Sequence, residues 1–243
     1  MNDTKIDILN VKFNSVTKEN MLNILTNRIE EEKRTFLVTA NPEIVMYANS
    51  DPEYMRVIQK ADYVIADGIG IIIGSKIIGQ PLPERIPGFE LMQELLKKGN
   101  EANWSAYFLG AKKEVVETAV ANIRQQYPNL KIAGYHDGFF DWESTIIQGE
   151  IKQAKPDLVF VALGLPRQEN FIAHKLADID KGLFIGVGGS FDVLAGTVKR
   201  APVIWQKLNL EWLYRLLKQP SRWRRMLVLP QFLIRMLKIK QKR

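Results

Sequence analysis

Apolar residues in this chain follow two alternating rhythms. Short runs of four to six residues, rich in Val, Ile, Leu and Phe, recur at 35–39, 63–66, 105–109, 131–135, 158–163 and 183–187. Such runs predict strands buried on both faces. Between them the spacing changes to that of helices. Thr17 is a candidate N-cap, followed by Met21, Leu22, Leu25 and Ile29 at helical intervals. Further helices are predicted over 43–48, 52–61, 89–98, 112–126, 143–154 and 169–176, with an apolar, glycine-bearing one after Gly68. Residues 6–11 alternate and predict one more strand, at an edge. Strands that alternate with helices predict an α/β, Rossmann-like, mostly parallel sheet with helices on both faces.

No apolar run of the strand type follows Gly188. The tail predicts helices interrupted at Pro202, Pro220 and Pro230. The division expected is an α/β catalytic core over 1–198 and a basic helical appendage over 199–243.

Composition supports a folded core, with 46% hydrophobic residues. With no cysteine, disulfides, thiolate catalysis and cysteine metal sites are excluded. The first ten residues lack a basic stretch followed by an apolar one, so no signal peptide is expected. No uninterrupted apolar run approaches the roughly 18 residues that span a bilayer.

Charge changes the picture of the tail. Residues 199–243 carry thirteen Lys/Arg and one acid, Glu211, whereas residues 1–198 carry 21 bases and 26 acids. Arg215, Lys218, Arg222 and Arg225 fall on one helical face, and Trp205, Trp212, Leu216, Trp223 and Leu227 supply apolar counterparts. Basic, tryptophan-bearing amphipathic helices suit an anionic membrane surface. The same apolar residues could instead pack on the core. No nucleic-acid reader motif is present, and no nucleic-acid partner is expected.

In open α/β sheets ligands bind beyond the carboxyl ends of the strands. Those ends hold Thr39 and Asn41; Asp67; Gly110; Asp137 and Gly138; Gly164, Pro166, Arg167 and Gln168; and Gly188 and Asp192. Several stand just before a helix, where free N–H groups favour a phosphate, so a nucleotide ligand is expected. Asp192 is the candidate for the nucleoside, because an acid after the last strand can accept from ribose hydroxyls. Asp67 has two readings: cap of the helix starting near Gly68, or general base for a hydroxyl. Prolines on either side of Arg85 fix it in a turn close to Asp67 in sequence.

Other chemistries fail on spacing. Gly68-x-Gly70-x-x-x-Gly74 does not match the dinucleotide fingerprint, and there is no P-loop. Two Tyr-x-x-x-Lys pairs, at Tyr127 and Tyr214, are misplaced for a dehydrogenase. His136 and His174 lack metal-ligand spacing. Asp178-Ile179-Asp180 has the D-x-D form used by metal-dependent sugar transferases, but it precedes its strand and reads as a solvated turn at the opposite end of the sheet. No metal and no cofactor are expected.

Taken together the motifs resemble those of a known family. They are Thr39-x-Asn41-x-Glu43, Ala66-Asp67-Gly68-x-Gly70, Glu84-Arg85-x-x-Gly88 and Gly164-x-Pro166-Arg167-Gln168-Glu169. Further on come Gly188-x-x-Phe191-Asp192-x-x-Ala195-Gly196-x-x-x-Arg200-Ala201-Pro202 and Leu210-Glu211-Trp212-x-x-Arg215. In this order they are similar to the WecG/TagA/CpsF glycosyltransferases. The resemblance implies an inverting, metal-independent transfer of N-acetylmannosamine from its UDP-sugar to the 4-hydroxyl of N-acetylglucosamine on undecaprenyl diphosphate, in wall teichoic acid synthesis. It implies Asp67 as base, Thr39, Asn41 and Gln168 as pocket residues, and Arg85 as the motif arginine. Arg215, Arg222 and Arg225 would complete the site over the UDP. It also implies a cytoplasmic enzyme held peripherally on the inner face of the membrane, with a homodimer as a family-level expectation. The alternatives are transfer of another UDP-sugar to a lipid-linked acceptor, or a non-catalytic nucleotide-binding membrane adaptor.

Overall fold

The computed structural model describes residues 4–218, 220 and 223–241. Six strands form one parallel sheet: β3 (Thr35–Ala40), β4 (Tyr63–Ala66), β5 (Ser105–Gly110), β6 (Lys131–His136), β7 (Leu158–Ala162) and β8 (Leu183–Gly186). Their spatial order is β4-β3-β8-β7-β5-β6, every neighbouring pair being parallel. This is the expected α/β architecture.

Successive residues along each strand face opposite sides, so five of the six runs feed two cores. The run at 131–135, expected to be buried on both faces, forms the edge strand β6 and has no fully buried residue, because one of its sides has no neighbouring strand. Val159 and Val161 of β7 join one cluster, while Leu158, Phe160 and Ala162 join the other. The second face is covered by α1 (Lys18–Glu30), α5 (Gly88–Ala102), α6 (Lys113–Gln126) and α9 (Ser190–Leu194). The first is covered by α2 (Pro42–Ser50), α3 (Pro52–Gln59), α4 (Ile69–Ile77), α7 (Ile146–Ala154), α8 (Arg167–Asn170) and a π-helical turn Phe171–Lys175. Thr17 does cap α1, accepting from the Asn20 amide at 3.2 Å.

Residues 6–11 are not one strand. β1 (Lys5–Ile8) and β2 (Val11–Asn14) form an antiparallel hairpin. Leu9 and Asn10 both take positive φ, 53° and 63°, as a two-residue hairpin turn of matching twist requires. Asp7 Oδ1 accepts from the Asn10 amide at 2.9 Å and holds the turn. The hairpin guards the sheet edge, because Asn14 Oδ1 accepts the Val64 amide of edge strand β4 at 2.9 Å.

Three helices lead to the last one: α10 (Val203–Lys207), α11 (Glu211–Lys218) and α12 (Trp223–Met226). Pro230 does not interrupt α13 (Val228–Lys240); it sits in the first turn, where no intrahelical N–H bond is lost. Phe232 and Met236 of α13 are fully buried, in the same cluster as β3 and β4. They fit against α4, where a Cβ on Gly74 would lie 2.9 Å from Phe232 Cε1 and one on Gly70 would lie 2.6 Å from Leu229 Cδ1. The end of the appendage is thus part of the packing of the core.

The helix α7 begins at Ile146, later than the predicted 143. Asp141 Oδ1 and Ser144 Oγ accept the backbone amides of Glu143 and Ile146, turning the chain before the helix starts.

Candidate active site

The connections out of the sheet diverge at two places. The chain leaves β7 toward β8 but leaves β5 toward β6. It also leaves β3 toward β4, whereas after β8 it runs to α9, which packs on α6. Both crevices open at the carboxyl edge, where such sheets take ligands.

The β3–β8 crevice gathers the residues expected to do chemistry. Thr39 Oγ1 donates to the Gly186 carbonyl at 3.3 Å, bridging β3 and β8. Gln168 packs on the same strand end: a Cβ on Gly186 would stand 2.5 Å from its Nε2. Its Oε1 accepts the Gly188 amide at 3.1 Å. Gly88 lies directly over Thr39, with room for no side chain, since a Cβ there would meet Thr39 Oγ1 at 2.9 Å. Asn41 caps α2 through Oδ1, 3.0 Å from the Ile44 amide. Gly68 presses on Asn41 and Pro42, a Cβ there falling 2.8 Å from Pro42 Cδ.

Asp67 directly follows β4 and is half-buried. Its amide donates to the Ala40 carbonyl at 3.0 Å, extending the β3–β4 pairing by one residue. Helix α4 takes Gly68 as its N-cap residue, with no side chain capping it. Asp67 therefore stands one residue before the cap position. The loop bearing Arg85 is bound to the end of β4 by the backbone, because the Ile86 amide donates to the Ala66 carbonyl at 2.7 Å. Glu84 pins the same loop from the other side by accepting the Lys18 amide.

The remaining strand-end residues lie across the β5–β7 crevice and its surroundings. Gly110 has φ 127°, and a Cβ there would fall 2.4 Å from the Ala162 carbonyl oxygen, so only glycine lets β5 and β7 end this closely. The Gly138 amide donates to the Ala111 carbonyl at 2.8 Å. Asp137 Oδ1 accepts from the Phe139 amide at 2.7 Å and, with Lys112 and Lys113, lines an open pocket of about 290 Å³. Gly164 takes φ 77°, and Pro166 is the N-cap residue of α8. Arg167 is exposed, with its guanidinium 5.4 Å from the Trp142 ring centroid. Asp192 is half-buried in α9, its Oδ2 3.7 Å from where a Cβ on Gly189 would stand.

Of the appendage arginines, Arg222 lies outside the described residues, as do the side chains of Arg215 in α11 and Arg225 in α12. A neighbouring clasp is described. Arg200 pairs with Glu90 of α5 at 2.9 Å and with Glu211 of α11 at 3.6 Å. Its guanidinium carbon lies 5.0 Å from the Phe89 ring centroid. This ties the start of α11 to the helix that follows the Arg85 loop. Asp178 and Asp180 are exposed, and the Asp180 carbonyl accepts the Arg34 amide at the start of β3, at the far end of the sheet.

One residue at the site carried no sequence signal beyond its place in a motif. Glu169 is only 2% exposed. Its Oε1 accepts from Gln168 Nε2 at 2.7 Å. Burial pushes its carboxyl up to about 7, with hydrogen bonds from Gln168 and its own amide, and the nearby Tyr54 hydroxyl, opposing that rise.

The chain matches the model of the "Glycosyl transferase WecG/TagA/CpsF family" over residues 6–243. It is 42% identical over 214 residues to a protein of Bacillus spizizenii (strain W23), covering 88% of this chain and 82% of that one. It is 41% identical over 245 residues to a protein of Staphylococcus aureus (strain MW2), covering 99% and 95%. Both relatives are named N-acetylglucosaminyldiphosphoundecaprenol N-acetyl-beta-D-mannosaminyltransferase. With its motifs placed along one sheet edge and the match running almost end to end, the chain belongs to the WecG/TagA/CpsF glycosyltransferase family.

Proposed function

We propose that the protein transfers N-acetylmannosamine from UDP-N-acetylmannosamine to the 4-hydroxyl of N-acetylglucosamine carried on undecaprenyl diphosphate. The product link is β-1,4, and the step falls early in wall teichoic acid synthesis. One observation carries the assignment to this site. The Ile86–Ala66 hydrogen bond ties the loop bearing Arg85 to the end of the strand that Asp67 follows, one residue before the cap of α4, in a chain with full-length relatives of that name.

In this reading Asp67 is the general base. Its carboxylate takes the proton of the acceptor hydroxyl as that oxygen attacks the anomeric carbon. The bond from that carbon to the UDP oxygen breaks on the opposite face, which inverts the centre. The electron pair leaves on the diphosphate, and Arg85, Arg215, Arg222 and Arg225 stabilise the charge that develops there. These cations supply the electrostatic role that a metal fills elsewhere, and the chain's D-x-D lies at the opposite end of the sheet. Thr39 and Gln168 hold the end of β8, so that Gly188 and Asp192 face the nucleoside.

The acceptor is a lipid, and the tail suits a lipid surface. Leu217, Trp223, Leu227, Ile234 and Leu237 are exposed on a segment with thirteen Lys/Arg. Among the described residues no helix is long and apolar enough to cross a membrane. In this reading the tail lies on the anionic inner face and brings the pocket to its acceptor.

The experiment is release of UDP from a panel of UDP-sugars mixed with a lipid-diphosphate N-acetylglucosamine analogue. The N-acetylmannosamine donor should be consumed first. Preference for another donor would keep the reaction class and overturn the sugar.

A further inference from the structure

Gln168 and Glu169 are adjacent on the four-residue helix α8, and both are buried, at 6% and 2% exposure. The Gln168 amide is held at both ends. Its Oε1 accepts the Gly188 amide at 3.1 Å, and its Nε2 donates to Glu169 Oε1 at 2.7 Å. Its flat face lies on Gly186, where there is no room for a Cβ. Turned over, the amide would set its NH2 against the Gly188 N–H, donor against donor, and its oxygen against the carboxylate. Only one orientation satisfies both neighbours, and Glu169 is the side chain that selects it.

Glu169 is itself braced from behind. Its Oε2 and the Tyr54 hydroxyl of α3 are both buried, and neither makes a hydrogen bond of good geometry. They nevertheless face each other, and each shifts the other's acidity; Tyr47 and Glu43 of α2 bear on the same phenol. None of these groups takes part in the chemistry at Asp67.

We infer that Glu169 is a positioning residue: it locks the Gln168 amide so that its oxygen holds the Gly188 N–H, and thereby sets the turn that leads to Asp192 and receives the nucleoside of the donor. The nucleoside part rests on the reading of this edge as a UDP-sugar site. The lock itself rests on hydrogen bonds and packing alone.

Two measurements test it. The first needs no ligand: the Gly188 backbone amide is followed by NMR between pH 5 and 8.5. In the wild type it should shift together with the Gln168 side-chain amide, with a midpoint near about 7. In Glu169→Gln, which keeps an acceptor but cannot ionise, both signals should stay flat. A Gly188 amide that shifts alike in both proteins, or in neither, overturns the lock. The second is donor kinetics. Glu169→Leu should raise KM for the UDP-sugar about tenfold, the loss of one buried hydrogen-bonded contact, with kcat within about twofold. Glu169→Gln should restore KM to within about twofold of wild type. A folded Glu169→Leu with wild-type KM overturns the link to the donor. Should Glu169→Leu not fold, the wild-type and Glu169→Gln titrations decide. Wild type that binds no UDP would remove the donor reading, while the Gly188 titration still decides the lock.

Discussion

The Ile86 amide donates to the Ala66 carbonyl at 2.7 Å, so the loop bearing Arg85 is bound to the last residue of the strand that presents Asp67. The loop is held at this strand end by its backbone and not by sequence proximity. Among the described residues the Arg85 guanidinium makes no hydrogen bond or ion pair, so its removal should leave the fold intact. Arg85→Ala should change stability by no more than about 0.5 kcal/mol. Turnover should fall by roughly 10²–10³-fold, as when a group stabilising the transition state is lost. Steady-state kinetics beside a urea titration check this; a stability loss matching the loss of activity would make Arg85 structural.

The last helix belongs to the core, and this separates two functions of the tail. Phe232→Ala should cost about 3–5 kcal/mol, because the side chain fills a fully enclosed site against Gly74. Gly74→Val should also destabilise, by about 1–3 kcal/mol, since it forces α13 off α4. Denaturant unfolding measures both. Values near zero would mean that α13 leaves the core readily in solution.

Membrane contact is then tested on exposed apolar residues of the tail. Leu217, Leu227 and Ile234 are exposed. Changing all three to Gln should weaken binding to anionic vesicles by at least about tenfold with an unchanged Tm, given about 1.5–3 kcal/mol for each large apolar side chain buried. Vesicle sedimentation reads this, and wild-type binding should also weaken with salt. Equal binding by the variant would place the lipid surface elsewhere.

Glu169 predicts a pH signature in stability. Its native pKa, about 7, lies above the ordinary 4.5. Between those values the native chain holds a proton that the unfolded chain has lost. The stabilisation is complete below the unfolded value and disappears as pH rises through about 7. Glu169→Gln carries no such dependence. The stability of the variant relative to wild type should therefore grow by roughly 2–3 kcal/mol between pH 5 and 8.5. A difference that stays constant with pH would contradict a neutral carboxyl at this position.

The sheet was legible because parallel strands buried on both faces leave unbroken apolar runs, as at Val159, Phe160 and Val161. Strand ends followed directly, and with them Thr39, Asn41, Asp67 and Gln168. The hairpin was not legible: Leu9 at a positive-φ turn position is an ordinary apolar residue, and it reads as a continuing strand. Nor was the packing of α13, since the tail's apolar residues fit a lipid surface as well as a core. Only the glycines on α4 decide, and they lie some 160 residues away in the chain. Glu169 stayed hidden for a related reason. A carboxylate in a helix's first turn reads as a solvated charge, and only its burial beneath Gln168 marks it out.

The central claim is sugar transfer with Asp67 as base, and one paired measurement bears on it most directly. Wild type and Asp67→Asn are each given UDP-N-acetylmannosamine and the lipid-linked acceptor, and disaccharide product and UDP affinity are measured on the same samples. Wild type should form the β-linked product. The variant should lose turnover by about 10²–10⁴-fold, the range for a lost general base, with UDP affinity within about twofold. No product from wild type, or near-normal product from Asp67→Asn, would contradict the account.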